Sequence, residues 1–421
     1  MRKVSIPAIV LLIFGLLGFS INKKESKGKK VPLVYSVENR GADCTPPPMP
    51  PVSELPEIKS LPDPFEFADG KHRVKNLDDW RCRRAEIGDE IMHYELGTKP
   101  PPPDNLEASF SSEDSVITVT IVVKKDTLKL TSHVWIPKGK GPFPAIIGVG
   151  FRGGTGSLPR DIFTSRNIAT VQFNFAELAP AGFSNVKRGM GGFYKLYPDS
   201  KVGYFAAWAW GVSRIIDALE KLPQLKIDLK HIGVTGCSFA GKIALFSGAF
   251  DERIALTIAQ ESGGGGYTAW RVTETLSGKR ETLRNAQGAP WYYQDFSKFN
   301  NAVTKLPYDH HELMAMVAPR ALFVTGNPDY EWLADESGYV CSKAAQEVWR
   351  AFGVPDRFGF SIVGKHMHCK VPDQQIPEIE AFVDKFLLGK ENVNTNIATT
   401  PYHSDLSRWI KWKTPDLTKG E

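Results

Sequence analysis

An α/β fold, with a mostly parallel central sheet, helices on both faces and an antiparallel hairpin on its N-terminal side, is predicted by three features of this sequence. Two neighbouring runs rich in β-branched residues, VITVTIVV at 116–123 and LKLTSHVWI at 128–136, are separated only by a polar turn at 124–127, the signature of a hairpin. Short, nearly continuous apolar runs then follow at 144–149, 168–173, 232–235, 254–259, 321–325 and 358–363, a pattern that suits parallel strands covered on both faces. Helical segments lie between them, most clearly GYFAAWAWGVSRIIDALE at 203–220 and SKAAQEVWRAF at 342–352. Strands alternating with helices after an antiparallel start describe a sheet of the α/β-hydrolase type. There is no internal repeat, and one catalytic domain accounts for residues 61–390.

The flanking segments read differently. Arg2 and Lys3, an apolar run at 6–19 and the small residues Gly18 and Ser20 make the three parts of a secretory signal over 1–20, and the run is shorter than the roughly 20 residues a membrane span needs. A cleaved signal is favoured over an uncleaved anchor, and after its removal no stable membrane association is expected. Residues 21–60, Lys-rich and then Pro-rich, lack apolar periodicity and are expected to form a linker whose middle is pinned by Cys44. Residues 391–421 are a polar extension, except that Trp409 and Trp412 are expected to pack back on the body.

With 421 residues, 42% apolar and 24% charged, the composition excludes a disordered, collagenous or multi-span membrane protein. The net charge of +5 is a property of the leader: seven basic residues against Glu25 give the first thirty residues +6, which leaves −1 for the rest. Nothing in that distribution calls for nucleic acid. Five cysteines in an exported chain read as disulfide partners, with at least one left over.

The strongest chemical signal is Gly236-Cys237-Ser238-Phe239-Ala240-Gly241-Lys242, placed directly after one apolar run and before an apolar helical segment. That is the context of a nucleophile elbow, a tight strand-to-helix turn that exposes a serine hydroxyl and demands small neighbours at positions such as Gly236 and Ala240. Glu261 ends the next strand and His368 follows the last one, giving the chain order Ser, acid, His that this fold uses. A serine hydroxyl needs a histidine to take its proton, and the histidine needs an acid to fix its tautomer. Asp329 and Glu331, after the strand at 321–325, compete with Glu261 for the acid, and His366 stands beside His368. His310, His311 and His366 read as buried or capping histidines. Lys242, four residues after Ser238 on the following helix, projects along the same face and can meet sugar hydroxyls. No phosphate loop and no zinc spacing is present, so neither cofactor nor metal is expected.

Several long stretches resemble the glucuronoyl esterases: DWRCRRAEI at 79–87, AAWAWGVSRIIDALE at 206–220, VTGCSFAGK at 234–242, GAFDERIALTIAQESGGGG at 248–266, LPYDHHEL and APR at 306–320, YEWL at 330–333 and HMHC at 366–369. The resemblance implies hydrolysis of the ester between glucuronic acid of xylan and a lignin alcohol, with Ser238, Glu261 and His368 as the catalytic trio. It implies disulfides pairing Cys237 with Cys369 and Cys44 with Cys82. A third family bond is incomplete, since Ala269 stands where the partner of Cys341 is expected, leaving Cys341 as the free thiol. It also implies that Lys242, Glu281 and Trp332 contact the uronate, while a second acidic contact has no equivalent at 287–291.

One departure bears on the chemistry. The family pattern has an arginine after the nucleophile, where it helps hold the oxyanion, and this sequence has Phe239. The backbone N–H of Phe239 can still donate, and Arg152, in the loop after the strand at 144–149, is a candidate to supply the missing charge. The reading is a secreted, monomeric serine esterase for the glucuronoxylan–lignin ester. Its alternatives are an esterase for another acyl group, such as acetyl on xylan, and a carbohydrate-binding descendant weakened by Phe239.

Overall fold

The computed structural model describes residues 1, 31–150, 153–182, 186–286 and 290–418. The expected signal peptide beyond Met1, and Arg152, lie outside the described residues. Ten strands form one sheet: β1 (Asn105–Ser111), β2 (Val116–Val123), β3 (Asp126–Trp135), β4 (Phe143–Val149), β5 (Ala169–Phe173), β6 (Ile227–Cys237), β7 (Leu256–Gln260), β8 (Ala321–Gly326), β9 (Phe358–Ile362) and β10 (Ala398–Thr399). They lie in the order β1-β2-β3-β5-β4-β6-β7-β8-β9-β10. β1, β2 and β3 pair antiparallel, β3 meets β5 antiparallel, and every pairing from β5 to β10 is parallel.

All eight strands predicted from the sequence are present, with ends shifted by a few residues. In β2 the β-branched side chains alternate, with Ile117, Val119 and Ile121 fully buried. The parallel strands are apolar on both faces because both are covered. Ile146, Leu256, Ile258 and Phe323 pack under the helix Ile376–Phe386, whereas Ile147, Val149, Val234 and Val324 face the larger cluster that holds the helices Tyr204–Lys221 and Phe239–Phe250. The first of these two helices is apolar around most of its circumference and every residue from Tyr204 to Ile216 is buried, as suits a helix inside the core.

Several elements are not evident in the sequence, two of them on its N-terminal side. β1 reads NLEASFS, a polar edge strand, and the helix Leu77–Ile91 carries charge on its buried face. Arg83 there faces Glu86, Glu90 and Glu312, so its charge enters the interior already paired. The segment expected as a linker is irregular over 31–60 but is fixed to the body rather than free. Tyr35 donates its N–H to the Glu252 carbonyl, the Glu38 carboxylate joins Lys99 and Arg214, Leu55 is buried, and Cys44 is bonded to Cys82. Polar pins at separate points replace the apolar periodicity that a sequence reading looks for. In the C-terminal extension, β10 adds to the sheet edge, Trp409 is buried, and Trp412 stacks on His311. Among the described residues no helix is long and apolar enough to cross a membrane.

Candidate active site

Register brings the site together. Cys237 at the end of β6 is level with Gln260 at the end of β7, and Gln260 is level with Thr325 near the end of β8. The residues that follow these strand ends therefore emerge at one edge of the sheet, where this fold class places its ligands. Ser238 has φ +59° and ψ −127°, a conformation costly for a serine and held by its surroundings. Its N–H donates to the Gln260 carbonyl at 3.0 Å, and its own carbonyl accepts from Lys242 N–H at 3.1 Å. A Cβ at Gly236 would collide with the Ala240 carbonyl, so the turn requires glycine there.

Glu261 is almost fully buried, and its backbone N–H donates to the Thr325 carbonyl at 2.8 Å. Its carboxylate accepts the Nδ1–H of His368 at 2.7 Å and the N–H of Cys369 at 3.1 Å. This fixes the His368 tautomer with Nε2 free to act as a base. The Cys237–Cys369 disulfide, with 5.7 Å between Cα atoms, ties the residue before Ser238 to the residue after His368. Among the described residues the Ser238 hydroxyl makes no direct hydrogen bond to that imidazole, and in hydrolases this contact tightens on substrate binding. Cys237, His368 and Cys369 are the one trio with metal-like spacing among the described residues, but both thiols are consumed in the disulfide.

The competing acids are placed elsewhere. Asp329 accepts Lys365 N–H at 2.5 Å, and Glu331 pairs with Arg280 at 2.8 Å, so neither meets His368. His366 is buried behind the acid: Nε2 faces the Val363 carbonyl at 2.8 Å and Nδ1 faces the Asn327 amide at 3.2 Å. Tyr330 was not singled out by the sequence, although it begins the YEWL stretch. Its hydroxyl accepts the His368 N–H at 2.9 Å, and its ring lies 5.4 Å from the imidazole. Asp335 lies deeper, receiving the Tyr267 hydroxyl, and its carboxyl is pushed up to about 7 by burial, with the Glu261 charge adding to the rise.

Lys242, Glu281 and Trp332 come together. The Lys242 ammonium is nearly inaccessible, donates to Glu281 Oε2 at 3.0 Å, and sits 5.4 Å from the centre of the Trp291 ring. Glu281 N–H donates to the Trp332 carbonyl at 3.0 Å, and the Trp332 indole, 42% exposed, stands edge-on to His368 at 5.9 Å. Phe239 completes an aromatic wall beside the nucleophile, stacked on Trp291 at 6.3 Å and perpendicular to Phe175 at 5.2 Å. Trp291 is a second residue that sequence reasoning missed, because only the fold carries it to Lys242. Cys341 is a free, fully buried thiol whose pKa burial raises well above the usual range.

A buried acid bonded to a partly exposed histidine, a strained serine tied to it through the disulfide and a neighbouring lysine–carboxylate–tryptophan cluster form the layout of a serine hydrolase acting on a polar acyl group. The family model described as glucuronyl esterase, fungi, matches residues 119–353. The chain is 41% identical over 384 residues to 4-O-methyl-glucuronoyl methylesterase of Hypocrea jecorina (strain QM6a), covering 90% of this chain and 80% of that protein. It is 40% identical over 373 residues to 4-O-methyl-glucuronoyl methylesterase 1 of Wolfiporia cocos (strain MD-104), covering 85% and 89%. The solved catalytic domain of the Hypocrea jecorina glucuronoyl esterase superposes with a TM-score of 0.81 at 41% identity, over 88% of this chain and 100% of that one. A serine-to-alanine mutant of the Sporotrichum thermophile glucuronoyl esterase, solved in complex with methyl 4-O-methyl-β-D-glucopyranuronate, gives a TM-score of 0.81 at 37% identity, over 89% and 99%. By the family match and by identity sustained over most of both chains, this chain belongs to the glucuronyl esterase family.

Proposed function

We propose that this chain hydrolyses the ester between a glucuronic or 4-O-methyl-glucuronic acid carboxyl and an alcohol, in glucuronoxylan bound to lignin, through an acyl-serine intermediate. Ser238 Oγ attacks the ester carbonyl carbon while His368 Nε2 takes its proton, and the carbonyl electron pair moves onto oxygen. The backbone N–H of Phe239, at the first position of its helix, is the donor aimed at that oxyanion, with Arg152 proposed as the second. Collapse expels the alcohol, which leaves with the proton from His368. Water then attacks the acyl carbon, its proton passes through His368 to Ser238, and the free uronic acid departs. Glu261 holds the imidazole and stabilises its cation throughout.

The bond from His368 Nδ1 to Glu261 at 2.7 Å, beside the Lys242–Glu281 pocket, supports this reading most directly. An acyl group with ring hydroxyls suits that cluster, because the partly exposed Glu281 carboxylate offers acceptors and the exposed Trp332 indole a ring face, with the Lys242 charge neutralising Glu281 from behind. We read the catalytic unit as residues 61–390 of a secreted, monomeric protein, in keeping with the leader and two disulfides. The test is turnover of benzyl glucuronate against acetylated xylan, with Ser238→Ala as the control. Preference for the acetyl ester would replace the uronate reading. Uronate binding by the unaltered protein without turnover would replace the enzyme by a carbohydrate-binding descendant.

A further inference from the structure

The stretch Tyr308-Asp309-His310-His311-Glu312 takes no part in the chemistry above, yet its first histidine is fully buried and faces polar atoms at both ring nitrogens. His310 Nδ1 lies 2.7 Å from the Gly266 carbonyl. A carbonyl can only accept, so Nδ1 carries hydrogen. Nε2 lies 3.0 Å from Glu95 Oε1 and 3.1 Å from the Trp270 indole nitrogen. Glu95, fully buried in the π-helical turn Met92–Leu96, also accepts the Tyr308 hydroxyl at 3.0 Å, and Asp309 and Tyr292 are the other titratable neighbours of this pair. Whether Nε2 donates to Glu95 or accepts from Trp270, the ring orientation is fixed and Nδ1–H points at Gly266.

Gly266 ends the run Gly263–Gly266 that starts one residue beyond Ser262, next to Glu261. The run is a tight turn, with Gly266 N–H donating to the Gly263 carbonyl at 3.0 Å. It lies directly against the uronate pocket: a Cβ at Gly264 would collide with the Glu281 carbonyl. Glu261 has three holds of its own, namely the Thr325 carbonyl, His368 and Cys369. Glu281 rests on this glycine run, on the bond from its N–H to the Trp332 carbonyl and, at its carboxylate, on the Lys242 ammonium.

We propose that His310 is a positioning residue of the site, its Nδ1–H anchoring the Gly263–Gly266 run so that Glu281, and through it Lys242, keep the geometry that binds the acyl group. The proposal rests on the uronate reading of the Lys242–Glu281 pocket. Because Glu261 is held independently, the role shows in KM more than in kcat.

His310→Asn keeps an N–H donor near the Nδ1 position, while His310→Gln keeps one near Nε2 and leaves Gly266 without a donor. On benzyl glucuronate, His310→Gln is expected to raise KM about tenfold while lowering kcat less than about threefold, the scale of one lost hydrogen-bonded anchor, and His310→Asn to restore most of the KM. A merely structural role would reduce the active fraction, and so kcat, in both variants without this split. Equal KM values in the two variants and the unaltered protein would overturn the proposal. The unaltered protein gives a second reading by ¹⁵N imidazole NMR, where an unprotonated Nδ1 at His310 would overturn it even if the glutamine variant fails to fold. Absence of turnover by the unaltered protein, with Nδ1 protonated, would refute the ester reading and leave the anchor to Gly266 standing.

Discussion

Replacing Glu261 by glutamine tests the acid at the point where the sequence left Glu261, Asp329 and Glu331 as candidates. The Glu261 carboxylate receives two N–H groups, from His368 Nδ1 and from the Cys369 backbone. Both donors reach Oε2, and Cys369 N–H also reaches Oε1 at 3.2 Å, so the NH2 group of a glutamine faces Cys369 N–H in one flip and both donors in the other. If the amide N–H faces His368, the imidazole relieves the clash by moving its proton to Nε2, where it blocks acceptance of the serine proton. Loss of the correct tautomer in a serine triad costs about 10⁴-fold in kcat, or about 5.5 kcal/mol. Asp329, by contrast, only accepts the Lys365 N–H at 2.5 Å and has no contact with the imidazole. Asp329→Asn should therefore change kcat by less than about threefold, under about 0.7 kcal/mol. The assay is initial velocity on benzyl glucuronate at saturating substrate, with thermal melts to confirm folding. Comparable losses at the two positions would show that the histidine is shared between the acids, and a larger loss at Asp329 would overturn the assignment.

Three other outcomes are expected. Replacing Cys237 and Cys369 together by serine opens a closure of 132 residues, worth about 5 kcal/mol in the loop-entropy estimate, and urea denaturation should show a loss of that order alongside reduced kcat; peptide maps that join Cys341 to either cysteine would refute the pairing. Phe239→Arg removes a ring packed on Phe175 and Trp291 but brings a guanidinium to the oxyanion, so kcat should rise, up to about 10²-fold, while the melting temperature falls; an unchanged kcat means that the oxyanion already has its charge. Burial lifts Glu90 to about 7 and Glu312 to about 8, against an ordinary value of 4.5. Such carboxyls stabilise the fold fully below pH 4.5 and lose that contribution as pH rises to 7–8, at about 1.4 kcal/mol per pH unit for each group. Glu38, Asp251 and Glu252, lowered by neighbouring cations against burial, act oppositely and fail only in stronger acid. Melting temperature should thus be higher at pH 5 than at pH 8, and Glu90→Gln should flatten the trend; an unaltered slope would refute it.

What could be read from the sequence follows how each element is stabilised. β4 to β9 were visible because strands covered on both faces must be apolar throughout, and a run such as Ala145 to Val149 has little other use. The helix Leu77–Ile91 was invisible for the opposite reason. Its inward face holds Arg83, Arg84 and Glu90, whose burial is made tolerable by Glu86, Glu312, Glu252 and backbone carbonyls far away in the chain. A periodicity test scores those residues as surface. The same holds for 31–60, where Glu38 and Arg40 reach Lys99, Arg214 and Glu252 without any repeating pattern.

For the site, spacing along the chain located the nucleophile and the histidine, because a strand-to-helix turn and a post-strand loop leave local signatures. The acid did not resolve by spacing, since Glu261 and Asp329 both follow strands that end at the same edge. Only the direction of the loop after β9 separates them. Cys369, with φ +65°, gives its N–H to Glu261, while Lys365, with φ +67°, gives its N–H to Asp329. One loop therefore satisfies both acids with different donors and leaves a single one on the histidine. Trp291 and Tyr330 fall in the same class: each acts on a residue dozens of positions away, Trp291 on Lys242 and Tyr330 on His368, and a partner chosen by the fold rather than by spacing has no local trace. The Phe239 side chain makes the point from the other side. Read alone it is a lost charge, but within the fold it is the third ring of a wall with Phe175 and Trp291, so restoring arginine there must disturb packing as well as add charge.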